Sequence, residues 1–154
     1  MLEKWAQKLQ TLFTRRGSNG DDPADPADGT IYKAEKRDPL GERGENLAAR
    51  ELRNKGYRII IRNFKCVMGE IDIIARDGKT LVFVEVKTRA YDDPTPEQQV
   101  NEHKQHQLTK AGRQFLSRYG TQPPPARFDV VAVVWPEGKD PIIRHTPHAF
   151  EATF

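Results

Sequence analysis

Residues 69–89 read GEIDIIARDGKTLVFVEVKTR. Two apolar runs, Ile71–Ala75 and Leu81–Val86, flank Arg76-Asp77-Gly78-Lys79. An Asp-Gly pair between alternating runs is a strong hairpin signal, so the stretch predicts two antiparallel strands. Residues two apart share a strand face. Leu81, Phe83, Glu85 and Lys87 therefore line one face of the second strand, and Val82, Val84 and Val86 the other. Both faces are apolar enough to predict burial on both sides. Glu85 and Lys87 interrupt one of them, roughly 6–7 Å apart along the strand, and Glu70 and Asp72 interrupt the first strand. Carboxylates in a buried sheet are costly unless something compensates them. A hard divalent cation would do so, since it takes carboxylate oxygens; a buried ion pair at a solvated strand end would do so as well.

Working outward, residues 41–55 have helical periodicity, with Glu45, Ala48, Ala49 and Leu52 at i, i+3, i+4 and i+7 and Gly56 as the stop signal. Glu45 thus sits on the apolar stripe, either as an acid favoured by the helix N-terminus or as a further site carboxylate. Residues 57–63, YRIIIRN, form a strand. From Arg50 to Lys65 the basic residues are Arg50, Arg53, Lys55, Arg58, Arg62 and Lys65, against the single acid Glu51. Such a cluster holds phosphates or is a solvated face. After the hairpin, residues 90–99 are a polar loop. Residues 98–119 are a second helix whose stripe, Val100, Lys104, Leu108, Ala111 and Phe115, has a lysine at its middle. That lysine either snorkels to solvent or faces a substrate. Three prolines from Pro123 stiffen a connector. Residues 127–135, RFDVVAVVW, form a fourth strand, in which Asp129 is read as orienting a basic residue, and residues 142–145 form a fifth. Phe150 and Phe154 would cover an edge.

The whole chain has 154 residues, 25 Lys and Arg against 22 Asp and Glu, and a formal net charge of +3. So small an excess argues for no partner by itself. The single cysteine, Cys66, has no internal disulfide partner, which suits a reducing compartment, and is read as a packing residue. No Cys or His cluster has zinc spacing. No apolar run approaches the roughly 18–20 residues of a membrane span, so no membrane association is expected. No signal peptide is read at the N-terminus, and a cytoplasmic location is expected. Residues 2–13 predict an amphipathic helix, and residues 17–28, rich in Asp, Pro and Gly, a linker. The chain is thus divided into residues 1–38, helix and linker, and residues 39–154, an α/β domain.

Asp72 followed after a dozen residues by Glu85-Val86-Lys87 resembles the PD-(D/E)xK core of metal-dependent nucleases. A longer string is more specific: Gly44-Glu45, Gly56-Tyr57, Arg62-Asn63, Gly69-Glu70-Ile71-Asp72, Phe83 to Arg89, Lys104, and Arg127-Phe128-Asp129-Val130-Val131. In that order it resembles the bacterial YraN-like family, uncharacterised protein family 0102, which is similar to archaeal Holliday-junction resolvases. The polar 90–99 loop departs from the glycines usual there. The resemblance implies a restriction-endonuclease-like α/β sandwich, with a mixed four- or five-stranded sheet and helices packed on it. It also implies a metal-dependent endonuclease that hydrolyses DNA phosphodiester bonds, with branched junctions as the candidate substrate. Asp72, Glu85 and the carbonyl of Val86 would then ligate Mg²⁺ or Mn²⁺, and Glu45 would complete the shell directly or through water. Lys87 would position the attacking water. Arg50, Arg53, Arg58, Arg62, Lys65, Arg89 and Lys104 would contact DNA phosphates. Glu70 gets no firm role. A junction resolvase needs two sites, hence a homodimer. Two alternatives stay open: a non-catalytic nucleic-acid-binding module of the same fold, and an interaction protein that recruits a partner through residues 2–13.

Overall fold

The structure, a computed structural model, describes residues 39–152. The helix expected at 2–13, the linker, the recruiting role and Phe154 lie outside the described residues. The chain forms α1 (Leu40–Asn54), β1 (Arg58–Cys66), β2 (Gly69–Asp77), β3 (Thr80–Arg89), α2 (Glu102–Leu116), β4 (Ala126–Val134) and β5 (Ile142–Phe150). The five strands make one sheet in the order β1-β2-β3-β4-β5. β3 and β4 are parallel, and the other three pairs are antiparallel. The parallel pair needs a crossover, which α2 supplies. This is the mixed-sheet α/β sandwich that the sequence predicted.

Each face of the sheet carries one helix. Ala48, Ala49 and Leu52 of α1 pack with Ile73, Ala75, Val82, Val84, Val86, Val131 and Val133. Leu108, Ala111 and Phe115 of α2 pack with Ile71, Ile74, Leu81, Phe83 and Phe128. The alternation of β3 between the two cores is the one its sequence predicts. On the α2 side Phe64, Phe83 and Phe115 meet edge to face, with centroids 5.4 and 5.9 Å apart. Such pairs add about 0.5–1.5 kcal/mol beyond the area they bury. Cys66 packs against this core, partly buried.

Four boundaries differ from the sequence reading. β1 runs on to Cys66, because Val67 and Met68 turn the chain straight into β2. The second helix starts at Glu102, not at residue 98. Pro96–Gln99 is a separate 3-10 turn, and the Asn101 side chain caps α2 by accepting from the Lys104 amide at 3.0 Å. Asn supplies the acceptor that the first helical turn lacks. The helix closes at Leu116, followed by a 3-10 turn, Ser117–Tyr119. β5 continues to Phe150, whose ring stacks on Phe128 at 4.7 Å.

Candidate active site

The site begins where β2 leaves β3. Their pairing runs from Asp77↔Thr80 to Ile73↔Val84 and stops there. Ile71 joins the α2-side core and Ile73 the α1-side core, although they are two residues apart. Regular strand alternation would put them on one face, so the pattern breaks at Asp72. Opposite it in β1, Asn63 has φ 53°, a left-handed conformation that Asn tolerates better than most residues. At this fork the Asp72 side chain replaces a backbone acceptor, and its Oδ2 accepts from the Val86 amide at 2.7 Å. Asp72 is 8% exposed. Burial pushes its carboxyl up to about 7 from the ordinary 3.8, with Glu85 and Glu45 pushing the same way and the Val86 amide and Lys104 opposing.

Glu85, 3% exposed, projects from β3 at the same fork. Its Oε1 lies 2.9 Å from Lys87 Nζ and 3.2 Å from Lys104 Nζ. Its Oε2 is buried with no hydrogen-bond partner. Sequence reasoning placed Lys87 alone beside the carboxylates. The structure corrects this: α2 crosses the sheet face that carries Glu85, and its first turn delivers Lys104 to the same oxygen. Lys104 is therefore neither a solvent-seeking lysine nor a free phosphate contact in this arrangement.

Glu45 comes from α1, on the other side of the sheet. Its Oε2 is 3.8 Å from Arg62 Nη2, a loose pairing, and Arg62 Nε is buried without a hydrogen-bond partner. Glu42, Glu45, Asn46, Arg62 and Asn63 line a cleft of about 420 Å³. Glu45 reaches Asp72 through its charge. It does not converge with Asp72 and Glu85 on one point: among the described residues no three His, Cys, Asp or Glu side chains stand close enough to share an ion. Two carboxylates nevertheless suit a hard cation. Glu85 Oε2 is a buried oxygen without a hydrogen-bond partner, and Asp72 is buried beside two acids that push its carboxyl up; both features fit a site that takes a divalent cation.

One glycine sets how near α1 comes. A Cβ on Gly44 would stand 1.8 Å from Thr88 Oγ1, so only glycine lets the helix lie this close to β3, next to Glu45. Thr88 Oγ1 is itself buried without a hydrogen-bond partner.

The basic residues expected to hold phosphate do not form one surface. Arg62 and Lys104 touch the carboxylates. Lys65 pairs with Glu70 at 3.5 Å, both largely exposed. Arg58 lies opposite Arg76, roughly 13 Å from Asp72 at about 3.3 Å per residue. Arg50 and Arg53 are exposed on α1. Arg89 donates to the Thr88 carbonyl and to Gln99 Oε1, tying β3 to the loop before α2. Sequence reasoning missed that loop's anchor, Arg144 of β5. It donates to Asp92 at 2.6 and 2.9 Å and to Glu97 at 2.7 and 3.0 Å. The nearby acids in an otherwise featureless loop were the available signal. Asp129 orients its neighbours: it accepts from Arg127 at 2.9 and 3.3 Å, from the His148 amide at 3.1 Å, and meets His145 Nε2 at 2.8 Å. Burial alone would raise its carboxyl; bonds from His145, Arg127 and His148 outweigh that and hold it below its usual value.

The model of "Uncharacterised protein family UPF0102" matches residues 44–133, a span that holds α1 from Gly44, the fork, α2 and most of β4. A UPF0102 protein of Geobacter sulfurreducens is 50% identical over 116 residues, covering 75% of this chain and 91% of the relative. A UPF0102 protein of Geotalea uraniireducens is 47% identical over 116 residues, with the same coverage of 75% and 91%. One from Symbiobacterium thermophilum is 52% identical over 95 residues, 61% of this chain and 80% of the relative.

Proposed function

The chain belongs to uncharacterised protein family UPF0102, and from the geometry of its β2–β3 fork we propose a metal-dependent endonuclease that hydrolyses phosphodiester bonds in DNA, branched junctions included. The observation that carries this is the meeting of Asp72, Glu85 and Lys87 at one fork, with Glu85 Oε2 buried and unpartnered. The residues that would hold Mg²⁺ or Mn²⁺ are Asp72, Glu85 and the Val86 carbonyl, with Glu45 acting through water. When bound, such an ion supplies a Lewis acid and lowers the pKa of a water ligand. The Val86 amide fixes the Asp72 carboxylate by its 2.7 Å bond. Lys87, half-anchored on Glu85, offers its remaining N–H donors to orient an attacking water. Lys104 and Arg62, each paired with a site carboxylate here, would offset the charge that grows on the phosphate oxygens once substrate enters.

The test is single-turnover cleavage of labelled duplex, flap, four-way-junction and single-stranded DNA with Mg²⁺ or Mn²⁺. Cleavage of at least one substrate is expected, lost in Asp72→Asn and Lys87→Met. No cleavage of any substrate with either metal would overturn the proposal. One observation favours a second reading. Lys87, Lys104 and Arg62 together match the charge of Asp72, Glu85 and Glu45, so the cluster closes without a metal, as it would in a non-catalytic nucleic-acid-binding module. Binding without cleavage would select that reading.

A further inference from the structure

The turn between β1 and β2 is made of Val67 and Met68, which are 92% and 49% exposed. Two-residue hairpin turns favour Gly, Asn and Asp, whose backbones tolerate the required conformations. Val and Met here expose apolar surface at a position that polar residues would fill more cheaply. Beside the turn Lys65 pairs with Glu70 at 3.5 Å, so the hairpin end itself is balanced, and the excess of positive charge comes from α2 with Lys110 and Arg113. Lys65, two residues before the turn, has a side chain 73% exposed. α2 passes the base of the turn at Gln107, near Gly69, and from His103 to Leu116 it contains no acid.

We propose that Val67 and Met68 form an apolar wedge that enters a weakly stacked base step of branched or nicked DNA while the flanking cations hold its phosphates. Apolar side chains inserted between base steps are a general way for proteins to open a duplex, and stacking is weakest at a branch or nick. The acid-free run of α2 beside the tip argues for a polyanion over a second copy of this chain. Two side chains are also far short of the roughly 800 Å² per partner that a stable protein interface buries. The wedge rests on the nuclease reading for its purpose and names the substrate class. Met68 is four residues from Asp72, roughly 13 Å along β2. That distance corresponds to about four base steps at 3.4 Å each, so the opened step and the cut bond would lie in one short stretch of DNA.

The test uses the full chain in EDTA, so that binding is read without cleavage. The probes are a four-way junction and a nicked duplex with 2-aminopurine at the discontinuity, and a continuous duplex of equal length. Wild-type protein should raise 2-aminopurine fluorescence at the discontinuity. Val67→Ser/Met68→Ser should lose that rise. It should bind junction and nick about tenfold more weakly, and continuous duplex within about twofold of wild type. Lys65→Ala should weaken all three alike. Equal loss on all probes in the double variant, or no fluorescence change with bound wild type, would overturn the wedge. So would a change in sedimenting mass in the double variant, which would make the tip a self-association surface. Unstacking without cleavage in Mg²⁺ or Mn²⁺ would remove the nuclease reading and leave the wedge. Cleavage without unstacking would do the reverse.

Discussion

Asp72→Asn tests the fork without any substrate. Asp72 has an ordinary value of 3.8 and is pushed up to about 7 in the folded chain. Below pH 3.8 both folded and unfolded chains hold the proton, and the site carries no penalty. Between 3.8 and 7 the folded chain keeps a proton that the unfolded chain has lost, so stability falls as pH rises through this window. Above about 7 the buried charge stands in full. At 1.36 kcal/mol per unit the penalty is at most about 4 kcal/mol; coupling to Glu85 and relaxation at the fork reduce it, and about 2 kcal/mol is a reasonable expectation. Asparagine keeps the shape, and its carbonyl oxygen still accepts from the Val86 amide. The variant should therefore melt higher than wild type at pH 8, by roughly 5–10 °C, and equally at pH 4. The assay is a set of thermal melts by circular dichroism in EDTA at four pH values. The quantity to read is the difference between the two proteins, because Asp129 works in the opposite direction. Its carboxyl is held below the usual value, so its contribution is lost as pH falls in wild type and variant alike. A variant that melts lower at pH 8, or a difference that ignores pH, would refute the argument and make Asp72 a fixed, paired anion.

Three further outcomes are expected. Adding Mg²⁺ or Mn²⁺ at about ten times its dissociation constant should stabilise wild type by roughly 1.4 kcal/mol and Asp72→Asn far less, read as a shift in Tm; a wild type indifferent to both ions would count against the cation site. Gly44→Ala should cost about 1–3 kcal/mol by overpacking against Thr88, and Thr88→Gly should recover part of it in the double variant; unchanged stability in Gly44→Ala would show that α1 can back away freely. Arg144→Met removes four hydrogen bonds from Asp92 and Glu97 and should raise amide exchange in residues 90–101 while leaving β2 and β3 protected; unchanged exchange there would show that the loop is held by other contacts.

What was legible in the sequence is what local period controls. The two faces of β3, the Asp-Gly turn and the stripes Ala48-Ala49-Leu52 and Leu108-Ala111-Phe115 depend on spacing alone, and the fold followed from them. The fork was not legible. It requires Asn63 in a left-handed conformation in one strand and a broken alternation at Asp72 in the next, and neither leaves a mark in a period-two pattern. The turn at Val67-Met68 was missed because it lacks turn residues. Lys104 beside Glu85 was missed in geometry, though not as a residue, because 19 positions separate them in the sequence and only the crossover through α2 joins them.

That crossover changes what the lysine at the middle of a helix stripe means. Glu85 Oε1 is shared by two ammonium groups while Oε2 has none. Asp72, 13 residues earlier and without a lysine in salt-bridge distance, rises to about 7. The two acids at the fork thus differ in their neighbours: one is paired with two ammonium groups, and the other is near its midpoint at neutral pH. Metal uptake at Asp72 near neutral pH would release a proton. The Lys104→Met variant separates the contributions. It leaves Lys87 alone on Glu85, raises the anionic demand at the fork, and should make metal-induced stabilisation, read as a Tm shift, larger than in wild type, although substrate binding weakens. A smaller shift than in wild type would show that Lys104 holds Glu85 in place for the ion instead of competing with it.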